Sequence, residues 1–206
     1  MIYCLAIFYK LDNNNAFKIA LVDNLSSFPI FARGTAKEFM YLAMREAVKL
    51  HDTSAYFSAF HHIHPKYDFT MNLATDTSRR YFCVMVTTSD YSGRIARTVL
   101  YNLMGNFLNL VTIDKILFKR DSDNDLQICD MNIILEKYAN WKEHDKIEKI
   151  QGDIKEVTDI MSANINKVIE RGVKMDELIL KTDVLSQQSM QFQKAAKKLN
   201  RCCLFF

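Results

Sequence analysis

The chain has 206 residues, 49% of them hydrophobic and 25% charged, which suits one medium domain with an extension and leaves enough apolar surface for a real core. Its net charge of +3 supports neither a nucleic-acid binder nor an acidic interaction tail. Five cysteines without metal-type spacing, no run near the ~18 apolar residues a membrane-spanning helix needs, and no basic leader before Met1–Phe8 together point to a cytosol-facing protein.

Ile2 to Tyr9 is a run of apolar and aromatic residues, followed by Asp12-Asn13-Asn14-Asn15 with turn chemistry and then Ala16 to Val22; the pair reads as an antiparallel hairpin. Thr35 and Glu38 have the spacing of a capping box, after which Ala36, Met40, Ala43, Ala47 and Leu50 recur at helical intervals. Tyr67, Phe69, Met71 and Leu73 alternate with Asp68, Thr70 and Asn72, the pattern of a half-buried strand. Asp76 to Arg80 turns the chain into a more buried strand over Tyr81 to Thr87. From Arg94 to Val111 a second helix is apolar around most of its circumference, which requires cover on several sides. The set predicts an α+β domain over residues 1–120, an antiparallel sheet flanked by helices.

Asp121 to Asp125 interrupts this rhythm with an acidic stretch, and residues 121–145 read as a linker holding short helices at most. Beyond it the spacing becomes a heptad over residues 146–200: Ile147, Ile150, Ile154, Val157, Met161, Asn164, Val168, Arg171, Met175, Leu178, Thr182, Leu185, Ser189, Phe192, Ala196 and Leu199. Twelve of these sixteen positions are apolar, where composition alone predicts about half, so the register is real. No proline follows Pro65, and the segment reads as one helix of roughly 80 Å at 1.5 Å per residue. A 3.5-residue repeat sustained this long means supercoiling with partner helices.

Arg171 stands in the middle of that seam. A guanidinium has five donors and no acceptor, and unpaired in a coiled-coil core it costs several kcal/mol. Either the arginine reaches out of an ordinary two-stranded coil, or a partner supplies acceptors at this layer. A buried polar layer would fix register and stoichiometry, which apolar layers do not.

The last residues, 201–206, read as a lipidation tail. Cys203-Leu204-Phe205-Phe206 has the C-a-a-X form of a prenylation site, and Cys202 beside it is placed for palmitoylation or a second prenyl group. One chain gives marginal membrane residence and two give stable anchoring. Lys194, Lys197, Lys198 and Arg201, just before it, read as a solvated helix face.

At this point the residues resemble a known family. Val168 to Leu178, with Arg171 at its centre, looks like the central stretch of an R-SNARE motif, and Phe192, Ala196 and Leu199 match its last core layers. The first half resembles a longin domain, a profilin-like α+β fold, including the turn Tyr91-Ser92-Gly93-Arg94. With the Cys-Cys tail, the order of parts resembles the lipid-anchored longin-domain R-SNAREs, the Ykt-six-like synaptobrevin homologues. Gly93 departs from the proline usual in that turn, and Phe206 favours a geranylgeranyl group where the family is described as farnesylated.

The resemblance implies a fusion protein and not an enzyme, with no cofactor, catalytic residue or metal ligand. Three Q-SNARE helices would complete a parallel four-helix bundle in which Arg171 donates to three glutamines, driving vesicle-membrane fusion. The protein would sit in the cytosol and on the cytoplasmic face of endomembranes (Golgi, ER–Golgi vesicles, endosome or vacuole), held by lipid and without a transmembrane helix. A long apolar seam and a lipid cannot stay in water, so the longin domain is expected to bind its own SNARE motif and lipid, with Phe39 and Leu42 on the first helix as the groove. The rival reading is a longin-type trafficking adaptor whose coiled coil joins a complex unrelated to fusion. A GTPase is excluded by the absence of a phosphate-binding Gly-rich loop, and His61, His62 and His64 lack partners at metal-site spacing.

Overall fold

A computed structural model of the chain describes residues 1–12, 15–51, 55–62, 68–112, 117–142 and 161–164. The strands are β1 (Ile2–Lys10), β2 (Ala16–Asp23), β3 (Phe57–His62), β4 (Phe69–Thr75), β5 (Tyr81–Thr88) and β6 (Met161–Asn164). The helices are α1 (Arg33–Leu50), α2 (Gly93–Thr112) and α3 (Cys129–Lys137). One sheet runs in the order β2-β1-β5-β4-β3-β6, antiparallel through its first five strands and parallel at the β3–β6 edge.

β1 is apolar without alternation because both of its faces are covered. Cys4, Ala6 and Phe8 meet Met40, Met44 and Ala47 of α1, together with Val84 and Val86 of β5. Leu5, Ile7 and Tyr9 meet Leu100, Leu103 and Phe107 of α2 on the opposite face. The near-continuous apolar surface of α2 is explained in the same way: one side lies on the sheet and another receives Met131 and Leu135 of α3. The result is the five-stranded α+β longin architecture that the sequence implies.

Two local expectations are corrected and one strand is added. The Thr35/Glu38 capping box does not form, since α1 begins at Arg33 with no side-chain cap and both residues lie inside the helix. Pro29 and the 3₁₀ turn Ile30–Ala32 start the helix earlier, and the Arg33 guanidinium anchors that entry by donating to Phe28 O at 3.0 Å and Ser26 O at 3.1 Å. β4 is buried along its whole length, including Thr70 and Asn72, because α2 covers the face expected to meet water. β3, which the sequence left without an assignment, extends the sheet beyond β4.

The acidic stretch is fastened to the domain. Asn124 N donates to Lys18 O at 2.7 Å and Leu126 N to Ile19 O at 3.1 Å, so this strap runs along the outer edge of β2. Asp123 accepts from Lys18 N at 2.9 Å and from the Tyr41 hydroxyl, while Lys18 Nζ pairs with Asp125. An open edge presents unpaired backbone groups that invite aggregation, and here the strap covers one edge of the sheet and β6 the other.

Candidate functional site

The edge of β3 is where the two halves of the chain meet. Ser58, Ala59, Phe60 and His61 are in register with Met161, Ser162, Ala163 and Asn164 of β6. The inner side of β3 is held by six residue pairs with β4, from Phe57↔Ala74 to His62↔Phe69. Its side chains divide between the two cores: Phe57 and Ala59 belong to the α2 face and Phe60 to the α1 face. Ser58 is anchored beneath α1 by a bond of 3.2 Å between its Oγ and His51 Nδ1, and His51 Nε2 donates to Ala55 O at 3.0 Å. That tautomer leaves Nδ1 as the acceptor, so the pair buttresses the strand. His61 Nδ1 lies 3.0 Å from Thr70 Oγ1 across the β3–β4 ladder. The edge strand is thus held from its inner side by contacts that do not involve β6.

The heptad expectation is corrected at four residues. Met161 to Asn164 form a strand in this structure, not part of one uninterrupted helix. Met161 and Asn164 are both core positions of the predicted seam. On a helix, residues i and i+3 share a face; on a strand they point to opposite faces. The strand therefore removes two adjacent layers from any coiled coil while it remains paired. The direct signal is weak: Met161-Ser162-Ala163-Asn164 alternates apolar and polar residues, but over four positions only and with no β-branched or aromatic side chain. A second signal is indirect: an edge strand of a covered sheet needs a partner.

Phe39 and Leu42 lie half-buried on the flank of α1. Phe39 packs edge-to-face on Phe69 of β4, with ring centroids 6.1 Å apart. β4 is the inner neighbour of β3, the strand that pairs with β6, so Phe39 packs two strands in from the docked strand. Of the predicted core layers only Met161 and Asn164 fall among the described residues. Arg171, Cys202, Cys203 and the layers at Ile147, Ile150, Ile154, Val157, Val168, Met175, Leu178, Thr182, Leu185, Ser189, Phe192, Ala196 and Leu199 lie outside them.

The described residues offer little chemistry for catalysis. Cys4 and Cys83 are fully buried, and burial pushes both thiols well above their ordinary range, away from nucleophilic thiolate. No group of three or more histidine, cysteine or acidic side chains among the described residues is placed to hold a metal. None of the described helices is long and apolar enough to cross a membrane.

Comparison with known proteins matches these parts to named ones. The synaptobrevin family profile matches residues 146–205. The chain is 30% identical over 202 residues to the putative synaptobrevin homolog YKT6 of Dictyostelium discoideum, covering 98% of each. It is 24% identical over 208 residues to synaptobrevin homolog YKT6 of Saccharomyces cerevisiae, again 98% of each. Against synaptobrevin homolog ykt6 of Schizosaccharomyces pombe, identity is 33% over 121 residues, 59% of this chain and 60% of that one.

Proposed function

Because the chain belongs to the family of YKT6-type synaptobrevin homologues, R-SNARE proteins of vesicle trafficking and not enzymes, we propose that it works as a two-state fusion protein governed by its longin domain. In the closed state the longin sheet holds part of the SNARE segment as β6. In the open state residues 146–200 zipper with three Q-SNARE helices into a parallel four-helix bundle, with Arg171 donating to three glutamines at the central layer. Prenylation at Cys203 and palmitoylation or a second prenyl group at Cys202 attach the open form to endomembranes of the Golgi, ER–Golgi vesicles, endosome or vacuole. The closed form shelters the lipid in the groove at Phe39 and Leu42.

The observation that carries this reading is the β3–β6 register. Strand pairing and bundle formation compete for the same four residues, so the longin domain cannot hold β6 while the SNARE helix is complete. The adaptor alternative has no need of such competition, since a permanent coiled coil gains nothing from a domain that unwinds two of its layers.

The test is to isolate the tagged chain from detergent-solubilised membranes, as wild type and as Arg171→Ala, and to measure the stoichiometry of what travels with it. Three Q-SNARE-type helices in equal amounts, lost or thermally weakened in Arg171→Ala, are expected. A stable complex without such helices, indifferent to Arg171→Ala, establishes the adaptor instead.

A further inference from the structure

Where β1 ends, the β4–β5 hairpin turns and α1 terminates, the domain has a cavity of about 230 Å³ with an unusual charge balance. Lys10, Arg79 and Arg80 line it with Asp12, His51 and Ser78. Among the described lining residues, Asp12 is the single carboxylate to set against Lys10 and Arg80, while Arg79 is engaged by partners of its own. The cavity is smaller than the roughly 300–1,000 Å³ of sites for drug-sized ligands, a scale suited to a compact anion.

Lys10 is the residue that needs explaining. It is 8% exposed, although lysine is almost never buried without an ionic partner. Its Nζ donates to Lys49 O at the end of α1 at 3.0 Å and lies 5.7 Å from the centre of the Phe82 ring. Among the described residues no carboxylate pairs with it. An ammonium has three donors, so two remain beyond that single bond. Burial lowers its pKa, as expected for a cation whose counter-charge is missing.

The arginines are held in place by the turn. Arg79 has φ of 59°, the one positive value at a non-glycine among the described residues. Left-handed backbone is unfavourable for such a side chain, and the surroundings enforce it. The Arg79 guanidinium donates to Ala55 O and stacks 3.7 Å from the Tyr56 ring centre. Asp76 fixes the hairpin from behind, its carboxylate accepting from Ser78 N and Oγ, Arg80 N and Tyr81 N. Arg80 donates to Tyr9 Oη at 3.1 Å and to both oxygens of Asp12 at 3.0 and 3.2 Å. The Asp12 side chain is 85% exposed, and so solvated an ion pair is readily exchanged for a stronger anion.

We propose that this cavity binds a phosphomonoester, with Lys10 at its floor and Arg80 at its rim. A dianionic phosphate supplies the counter-charge that Lys10 lacks and replaces Asp12 on the Arg80 fork, for which its geometry is suited. The same group is carried by phosphorylated lipid headgroups and by soluble phosphates.

The experiment uses the full chain, titrated calorimetrically with inorganic phosphate and with inositol trisphosphate. Flotation is then measured on phosphatidylcholine vesicles containing either a phosphatidylinositol monophosphate or a matched charge of phosphatidylserine. Saturable, salt-sensitive binding of a soluble probe is expected, weakened roughly tenfold or more by Lys10→Met. Arg80→Gln, on the exposed rim, gives the same readout and decides the question should Lys10→Met fail to fold. Flotation selective for the phosphoinositide makes the ligand a lipid headgroup; soluble binding without it makes the ligand a free phosphate. Absence of saturable binding by every probe overturns the proposal, and so does binding that survives these substitutions in a folded chain.

Discussion

A disulfide across the β3–β6 ladder would convert the competition between strand and bundle into a measurement. His61 and Asn164 are directly in register, and His61 is exposed, so His61→Cys with Asn164→Cys places two thiols on neighbouring strands with little loss of core. Adjacent strands lie about 4.8 Å apart, within the ~4.4–6.8 Å between Cα atoms that a disulfide requires. Residues 61–142 belong to the domain that both states share, so the loop that counts is the segment of about 20 residues between that domain and Asn164, worth about 3 kcal/mol by the chain-entropy relation. Since about 1.4 kcal/mol is tenfold, the oxidised chain should favour the closed state by roughly two orders of magnitude more than the reduced chain does. The assay is assembly with soluble Q-SNARE helices, followed by resistance of the complex to detergent or by fluorescence transfer, in a Cys202→Ser, Cys203→Ser background. The oxidised form should be silent and recover on reduction. Assembly at equal rates in both forms, with the disulfide verified by mass, would refute the competition between β6 and the SNARE helix.

Leu42→Glu places a charge in the groove proposed to receive the lipid; the prenylated chain should shift from the soluble to the membrane or aggregate fraction on sedimentation, and an unchanged soluble fraction counts against lipid shelter. Asp123→Ala removes the acceptor for both Lys18 N and the Tyr41 hydroxyl, exposed bonds whose loss should cost about 0.5–1.5 kcal/mol in urea unfolding as the strap loosens from β2. Tyr41 itself is pushed up to about 12, first by burial and then by its bond to Asp123. A raised acid holds its proton in the folded state after the unfolded chain has lost it. Stability should therefore fall with rising pH between about 10 and about 12, and thermal unfolding of Tyr41→Phe across that window should show a shallower decline.

Much of the fold was legible because its strongest signals are local. The hairpin of β1 and β2 was marked by apolar runs on either side of Asp12-Asn13-Asn14-Asn15, and α2 by its apolar circumference. What escaped reading depended on distant partners. Thr70 and Asn72 look like solvent-facing strand residues, and only the position of α2 explains their burial. Phe57–His62 carries two histidines and too little alternation to stand out, yet between β4 and β6 it becomes the strand on which the proposed mechanism turns. Lys10 was no signal at all in the sequence. It became one when the fold buried it without a carboxylate.

The energies of the two states explain why such a clasp is useful. A parallel ladder over four residue pairs contributes about 0.5–1.5 kcal/mol per hydrogen bond, only a few kcal/mol in total. A completed bundle buries twelve apolar side chains from this chain alone at about 1.5–3 kcal/mol each, before the entropy of ordering is charged against it. On the proposed mechanism the closed state would therefore hold only while partners are absent. Because β6 takes up two layers in the first half of the predicted seam, helices zippering from the N-terminal end would meet it before they reach Arg171 and would have to displace it to continue. The longin domain would then act at an early step of assembly, where a few kcal/mol control the rate, and leave the later layers free to deliver their full stabilisation.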